Sequence, residues 1–137
     1  MFQKFRSPDL GLLIIRLCLA YEFISHSWAK LSNTAGSIKF FAHLGIPYPS
    51  FTMYLVCGVE MLGGIAMLLG YWTELFGLLL AIDMLGVIIT VRGGPMAHGI
   101  LAGHDFELTL LLVSLGIALI GSGRFALEQP KQKPQLV

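Results

Sequence analysis

Charged residues are scarce in this chain. Asp, Glu, Lys and Arg make up 12% of its 137 residues, about half the share typical of soluble domains, while 55% of residues are apolar. This small number of polar groups could not cover the surface of a monomer folded in water. The composition therefore excludes an ordinary soluble domain and predicts a lipid bilayer as partner. The formal net charge of +1 leaves no basic face for a row of phosphates, which excludes nucleic acid as a partner.

Cysteine is scarce as well, and short catalytic motifs are missing. Cys18 and Cys57 stand alone in separate apolar segments, which argues against a disulfide framework and a zinc site. The sequence has no HExxH, CxxCH or GxSxG pattern, so hydrolysis by a serine nucleophile is set aside. Arg16 would interrupt the apolar core of a signal peptide, and the first helix is therefore expected to stay in the mature protein.

Four apolar segments predict an all-α fold, an integral membrane four-helix bundle. The predicted spans are residues 9–30, 51–71, 75–92 and 104–122, within a single membrane domain over residues 1–125. Between the first two spans, residues 31–50 predict a short amphipathic helix in the first outer loop. Residues 126–137, with two prolines and two lysines, predict a disordered cytoplasmic tail.

The basic residues predict the orientation in a cell membrane. Those that flank the two termini are Lys4, Arg6, Arg124, Lys131 and Lys133. On the opposite side stand Lys39 and Arg92, with Lys30 at the helix end. Since basic residues accumulate on the cytoplasmic side, both termini are expected there.

Ionisable residues inside the predicted spans are the most informative positions. Each charge at the bilayer centre costs about 2.5–3.5 kcal/mol and must find a partner. Counted along the helices, Arg16 and Asp83 lie toward the inner half, and we predict a structural ion pair between them. Five further residues are predicted to form an outer cluster: Glu22, His26, Glu60, His104 and Glu107.

Two interpretations of these charges stay open. Glu22, His26 and Lys30 follow at four-residue spacing on one side of the first helix, so they can form a salt-bridge ladder that fixes helix packing. They can also line a polar pocket open to the outer face. Two histidines and three carboxylates exceed what neutralising Arg16 requires, which favours the pocket. A haem or metal ion between His26 and His104 is less favoured, because no ligand motif supports it.

Several motifs together resemble the DoxX family of small four-helix membrane proteins, over residues 9–125. They are Arg16-Leu17, His26-Ser27-Trp28-Ala29-Lys30-Leu31, Leu44-Gly45-Ile46-Pro47, Glu60-Met61-Leu62-Gly63-Gly64, and Glu107 ahead of Gly121-Ser122-Gly123-Arg124. Ser27 stands where the family commonly has glycine. The resemblance implies quinone-linked redox chemistry, as in thiosulfate:quinone oxidoreductase, quinol oxidase and other membrane oxidoreductase complexes.

Five residues match the family pattern: Arg16, His26, Lys30, Glu60 and Glu107. Together with the predicted depths, this makes His26, Glu60 and Glu107 the candidate catalytic residues. A quinone-like ligand is expected at Arg16, Glu22, Lys30 and His104, where Glu22 and His104 are chosen by their predicted depth and not by the resemblance. The chain has no recognisable flavin or iron–sulfur motif, so electrons would come from a bound substrate or a redox partner subunit. Whether the chain is an enzyme by itself stays open. The alternative is a non-enzymatic assembly or ligand-binding module whose charges are structural. A homo-oligomer is expected, because so small a bundle has limited interior volume.

Overall fold

A computed structural model describes residues 7–91 and 103–128, and within them the regular structure is entirely helical. The five helices are α1 (Pro8–Ser32), α2 (Thr34–His43), α3 (Pro49–Leu69), α4 (Thr73–Thr90) and α5 (Asp105–Ile120). The predicted all-α fold is confirmed. The ends of α1, α3, α4 and α5 lie within two residues of the predicted spans.

Local capping explains where the first two helices begin. The Ser7 side chain accepts a hydrogen bond from the Leu10 amide, and Pro8 occupies the first turn of α1, where its missing N–H costs nothing. Asn33 accepts a hydrogen bond from the Gly36 amide at 3.2 Å and starts α2 one residue after α1 ends. The polypeptide therefore turns sharply at Asn33, and α2 folds back toward the bundle.

Three of the described helices, α1, α3 and α4, are long and apolar enough to cross a membrane. The fourth predicted span corresponds to α5, which has 16 residues and is about 24 Å long. That length is just below the usual minimum for a transmembrane helix, so the fourth span stays a prediction.

Helix pairs in the bundle approach closely. Helix α1 packs on α3, α3 on α4, and α4 on α5. A Cβ atom on Gly77 of α4 would lie 2.8 Å from the Ser114 carbonyl oxygen of α5. On Gly64 of α3 it would lie 2.6 Å from the Ile24 side chain of α1. Small residues let helices pack at this distance in lipid, where no aqueous hydrophobic effect drives them together.

The short helix α2 lies against α3 and covers one end of the bundle. Phe41 is its buried residue, and it packs against Met53 and Cys57 of α3. Lys39, on the other side of α2, is exposed, and Phe40 beside Phe41 is half-exposed. The predicted short helix between the first two spans is thus present, with one face packed and the other free.

The segment after α5 is ordered further than the sequence indicated. The amides of Leu127 and Glu128 donate to the carbonyls of Leu69 and Gly70 at the end of α3, each at 3.1 Å. Residues 126–128, expected in the disordered tail, therefore belong to the folded domain. The rest of that expected tail, 129–137, lies outside the described residues, as do Lys4, Arg6 and Arg92, so the sidedness of the termini stays a prediction.

Candidate functional site

A cavity of about 400 Å³ lies among α2, α3 and α4, with contributions from α1 and α5. Most of its wall is apolar, and Phe40, Phe41, Val56 and Val87 are part of it. Five of the predicted functional residues also line it: His26, Lys30, Glu60, Asp83 and Glu107. The tertiary structure thus gathers ionisable groups from four helices around one cavity.

A buried ion pair forms the centre of the polar wall. The Lys30 Nζ atom lies 2.6 Å from both Glu60 carboxylate oxygens and donates to each. The Glu60 side chain is 1% exposed, whereas Lys30 keeps 25% of its side-chain surface exposed. Lys30 sits in the last turns of α1 and Glu60 in the middle of α3, so the pair ties these two helices together.

Asp83 of α4 completes a triad with Lys30 and Glu60. Its carboxyl lies near enough to that of Glu60 for the two to share a hydrogen bond, and Lys30 is within electrostatic range. The Asp83 Oδ2 atom is buried and has no hydrogen-bond donor among the described residues. Two carboxyls facing one ammonium carry a net charge of −1 unless a proton lies between them. The triad therefore has one more carboxyl than it has cations.

Two histidine–carboxylate pairs flank the triad. His26 Nε2 lies 3.9 Å from Glu22 Oε2, one helical turn away, and its ring centroid is 5.6 Å from that of Phe106. His104 Nδ1 lies 3.7 Å from Glu107 Oε2, and that buried nitrogen has no hydrogen-bond partner in the described residues. His26 and Glu107 line the cavity, whereas Glu22 and His104 stand behind them, outside its wall.

Arg16 lies elsewhere, and the predicted ion pair between Arg16 and Asp83 is not formed. The buried guanidinium donates from Nε to the Met67 carbonyl at 2.9 Å and from Nη2 to the Leu68 carbonyl at 3.3 Å. Its Nη1 donates to the carbonyls of Ser122 and Phe125 at 2.9 and 2.8 Å. Carbonyls at the end of a helix have no partners within it and carry its negative dipole end, so they satisfy the guanidinium without a carboxylate.

The turn at Gly70 makes room for this arrangement. Gly70 ends α3 in the left-handed conformation, with φ of 69°, and its amide donates to the Ala66 carbonyl. A Cβ atom there would collide with the Arg16 guanidinium and the Ala126 side chain. Glycine is therefore needed here both for its backbone conformation and for its missing side chain.

Comparison with known proteins agrees with this architecture. The DoxX family model matches residues 11–93, which cover α1 from its fourth residue and all of α2, α3 and α4. The chain belongs to the DoxX family. Because three of its helices are also long and apolar enough to cross a bilayer, this DoxX chain is a membrane protein.

Two curated relatives resemble this DoxX protein. "Putative oxidoreductase CatD" of Bacillus subtilis (strain 168) is 32% identical over 123 residues, which cover 90% of this chain and 88% of that protein. "Inner membrane protein YqjF" of Escherichia coli (strain K12) is 33% identical over 66 residues, 48% of this chain and 49% of that protein. No solved structure matches the chain.

Several residues of the DoxX site carry no recognisable sequence signal. The apolar part of the cavity wall comes from α2, the first half of α3 and the second half of α4, and includes Leu44, Thr52, Ile82, Gly86 and Thr90. Residues of this kind are found throughout any membrane helix, so only the packing distinguishes them. Among the described residues, no group of three or more His, Cys, Asp and Glu side chains has the geometry of a metal site.

Proposed function

We propose that this DoxX protein binds the ring of a quinone or quinol in its cavity and transfers protons to or from the ring oxygens. One observation carries the proposal: the Lys30–Glu60–Asp83 triad forms a polar end to an otherwise apolar cavity inside the membrane domain. The relative named as an oxidoreductase supports redox chemistry in general, without naming a substrate.

The cavity has the size and lining that such a ring needs. Its volume of about 400 Å³ falls within the range of small-molecule pockets, which are mostly apolar with a few placed polar groups. Phe40 and Phe41 offer aromatic surface to a flat ring. Lys30 has three N–H groups, of which two point to Glu60, so one donor is left for a ring oxygen.

The proton between Asp83 and Glu60 supplies the acid–base chemistry. Reduction of a quinone to a quinol consumes two electrons and two protons, and oxidation releases them. A proton shared by the Asp83 and Glu60 carboxyls can pass to a ring oxygen that approaches the triad. His26 and Glu107, also on the cavity wall, can then exchange protons with the triad. The electrons come from a bound substrate or a redox partner protein when a quinone is reduced, and pass to one of them when a quinol is oxidised, since the sequence has no recognisable flavin or iron–sulfur motif.

A second candidate function is a non-enzymatic membrane module, and the contacts of Arg16 favour it. This cation is 1% exposed, and it donates to backbone carbonyls away from the cavity, where its contacts stabilise the packing of helices. If the Lys30–Glu60 pair served in the same way, replacing either residue would change folding or assembly and nothing else. Ligand binding by folded variants therefore separates the two functions.

The proposal is tested by quinone binding to the purified protein in lipid nanodiscs. Asp83→Asn and Glu60→Gln are the test variants, and Glu74→Gln is the control, since Glu74 is acidic, exposed in the first turn of α4 and not on the cavity wall. We expect each test variant to fold and to bind quinone about tenfold more weakly, the loss that one charge-assisted hydrogen bond represents. The control should bind like the wild type. Wild-type affinity in Asp83→Asn and Glu60→Gln, or no quinone binding by the wild type, would contradict the proposal.

A further inference from the structure

We propose that the ligand of this cavity carries a long apolar tail, which leaves the cavity sideways into the bilayer between α2 and α4. The inference rests on the proposed function, in that the ring end of the ligand sits at the Lys30–Glu60–Asp83 triad. The inference specifies the class of ligand. The ligand is a quinone that an apolar tail keeps in the membrane, and not a tail-less quinone that reaches the cavity from water.

One part of the cavity wall is also part of the outer surface of the protein. Ile82, Gly86 and Thr90 follow at four-residue spacing along one line of α4, and all three are exposed while lining the cavity. Ile82 is 56% exposed, and Phe40 of α2, on the same cavity wall, is 50% exposed. The cavity is therefore continuous with the surface between these two helices.

This opening lies at the depth of the hydrocarbon core. Ile82 stands in the middle of the 18-residue helix α4, and Thr90 is its last residue. The line from Ile82 to Thr90 is thus about 12 Å long, from mid-helix to its end. A cavity open over that depth faces acyl chains, which admit molecules dissolved in the bilayer.

The opening has the shape and composition that a hydrocarbon tail requires. A Cβ atom on Gly86 would meet no other described atom within 4 Å, so the missing side chain leaves a notch in the wall. Leu44 and Val56 provide apolar surface on the α2 and α3 side. Asp83 follows Ile82 directly in the sequence, so the polar triad adjoins the inner end of this opening. A ring at Asp83 and a tail past Gly86 use both parts of one cavity.

The test uses a substitution that narrows the opening at Gly86 and compares the binding of two quinones that share a head group. Gly86→Leu adds a branched side chain at the opening. Gly116→Leu on α5 is the matched control, because Gly116 does not line the cavity. As at Gly86, a Cβ atom on Gly116 meets no described atom within 4 Å. Binding of decyl-ubiquinone and of tail-less ubiquinone-0 is measured in nanodiscs. Each variant is compared with the wild type for the same probe, so that partitioning into lipid cancels.

We expect Gly86→Leu to weaken decyl-ubiquinone binding by about tenfold, the usual effect of overfilling an apolar site, and to change ubiquinone-0 binding by less than about twofold. Gly116→Leu should leave both unchanged. Equal weakening of both probes, or no effect on either, would overturn the tail proposal while leaving quinone binding in place. Failure of the wild type to bind either probe would overturn the proposed function together with this inference.

Discussion

Removing the cation of the Lys30–Glu60 pair should destabilise the protein far more than neutralising the anion. Lys30→Met leaves the Glu60 carboxylate 1% exposed and next to the Asp83 carboxyl, with no ammonium between them. Breaking a buried pair in this way costs about 3–5 kcal/mol of the free energy of unfolding, because an uncompensated charge stays in a dry site. Glu60→Gln leaves Lys30 with Asp83 as its anion, so we expect a loss of about 1 kcal/mol.

The assay is unfolding of the purified variants in mixed micelles by titration with sodium dodecyl sulfate, followed by circular dichroism. Lys39→Met, on the exposed side of α2, removes the same charge away from the cavity and should change the unfolding free energy by less than about 0.5 kcal/mol. The reasoning is refuted if Glu60→Gln destabilises as much as Lys30→Met, since the argument requires Asp83 to take over as the partner of Lys30.

Two further predictions concern the opposite end of the bundle. Arg16→Met removes four hydrogen bonds to buried or partly buried carbonyls and should lower the unfolding free energy by about 4 kcal/mol or more. Arg16→Lys should lie between Arg16→Met and the wild type, because an ammonium has fewer donors than a guanidinium. The same micelle titration measures both variants, and equal stability of Arg16→Lys and the wild type would count against the prediction. Gly70→Ala should lower the unfolding free energy by about 1–3 kcal/mol, through backbone strain and collision with Arg16. Gly58 lies within α3, and a Cβ atom there meets no described atom within 4 Å. Gly58→Ala should therefore leave the stability unchanged or raise it slightly. Comparable melting temperatures of the two alanine variants would exclude the strain at Gly70.

The sequence predicted some of the residues that line the cavity, but not all of them and not how they pair. Membrane depth follows from counting residues along a helix, and this placed Glu60 with His26 and Glu107; all three line the cavity, whereas Glu22 and His104 do not. Counting gives no rotation of one helix against another, so Asp83 was predicted to pair with Arg16 when it faces Glu60. The roles of these residues in catalysis stay predictions.

The segment after α5 shows a second limit. The carbonyls of Ser122 and Phe125, which accept hydrogen bonds from Arg16, are backbone groups present at every residue. No residue type marks them as ligands of a guanidinium, and a carboxylate was therefore the natural partner to expect. Residues 126–128 are likewise held by backbone groups, since the amides of Leu127 and Glu128 donate to the carbonyls at the end of α3, and this order is not visible in their composition.

The sequence by itself determined the helical class, the helix ends and the need to pair every intramembrane charge. These depend on apolar length, capping residues and the cost of charge in lipid, all of which are local properties of the chain. Only the tertiary structure decided the partners of those charges and the presence of the cavity. Both depend on the close approach of α1 to α3 and of α3 to α4, which brings Lys30, Glu60 and Asp83 together across distances of 23 to 53 residues along the chain.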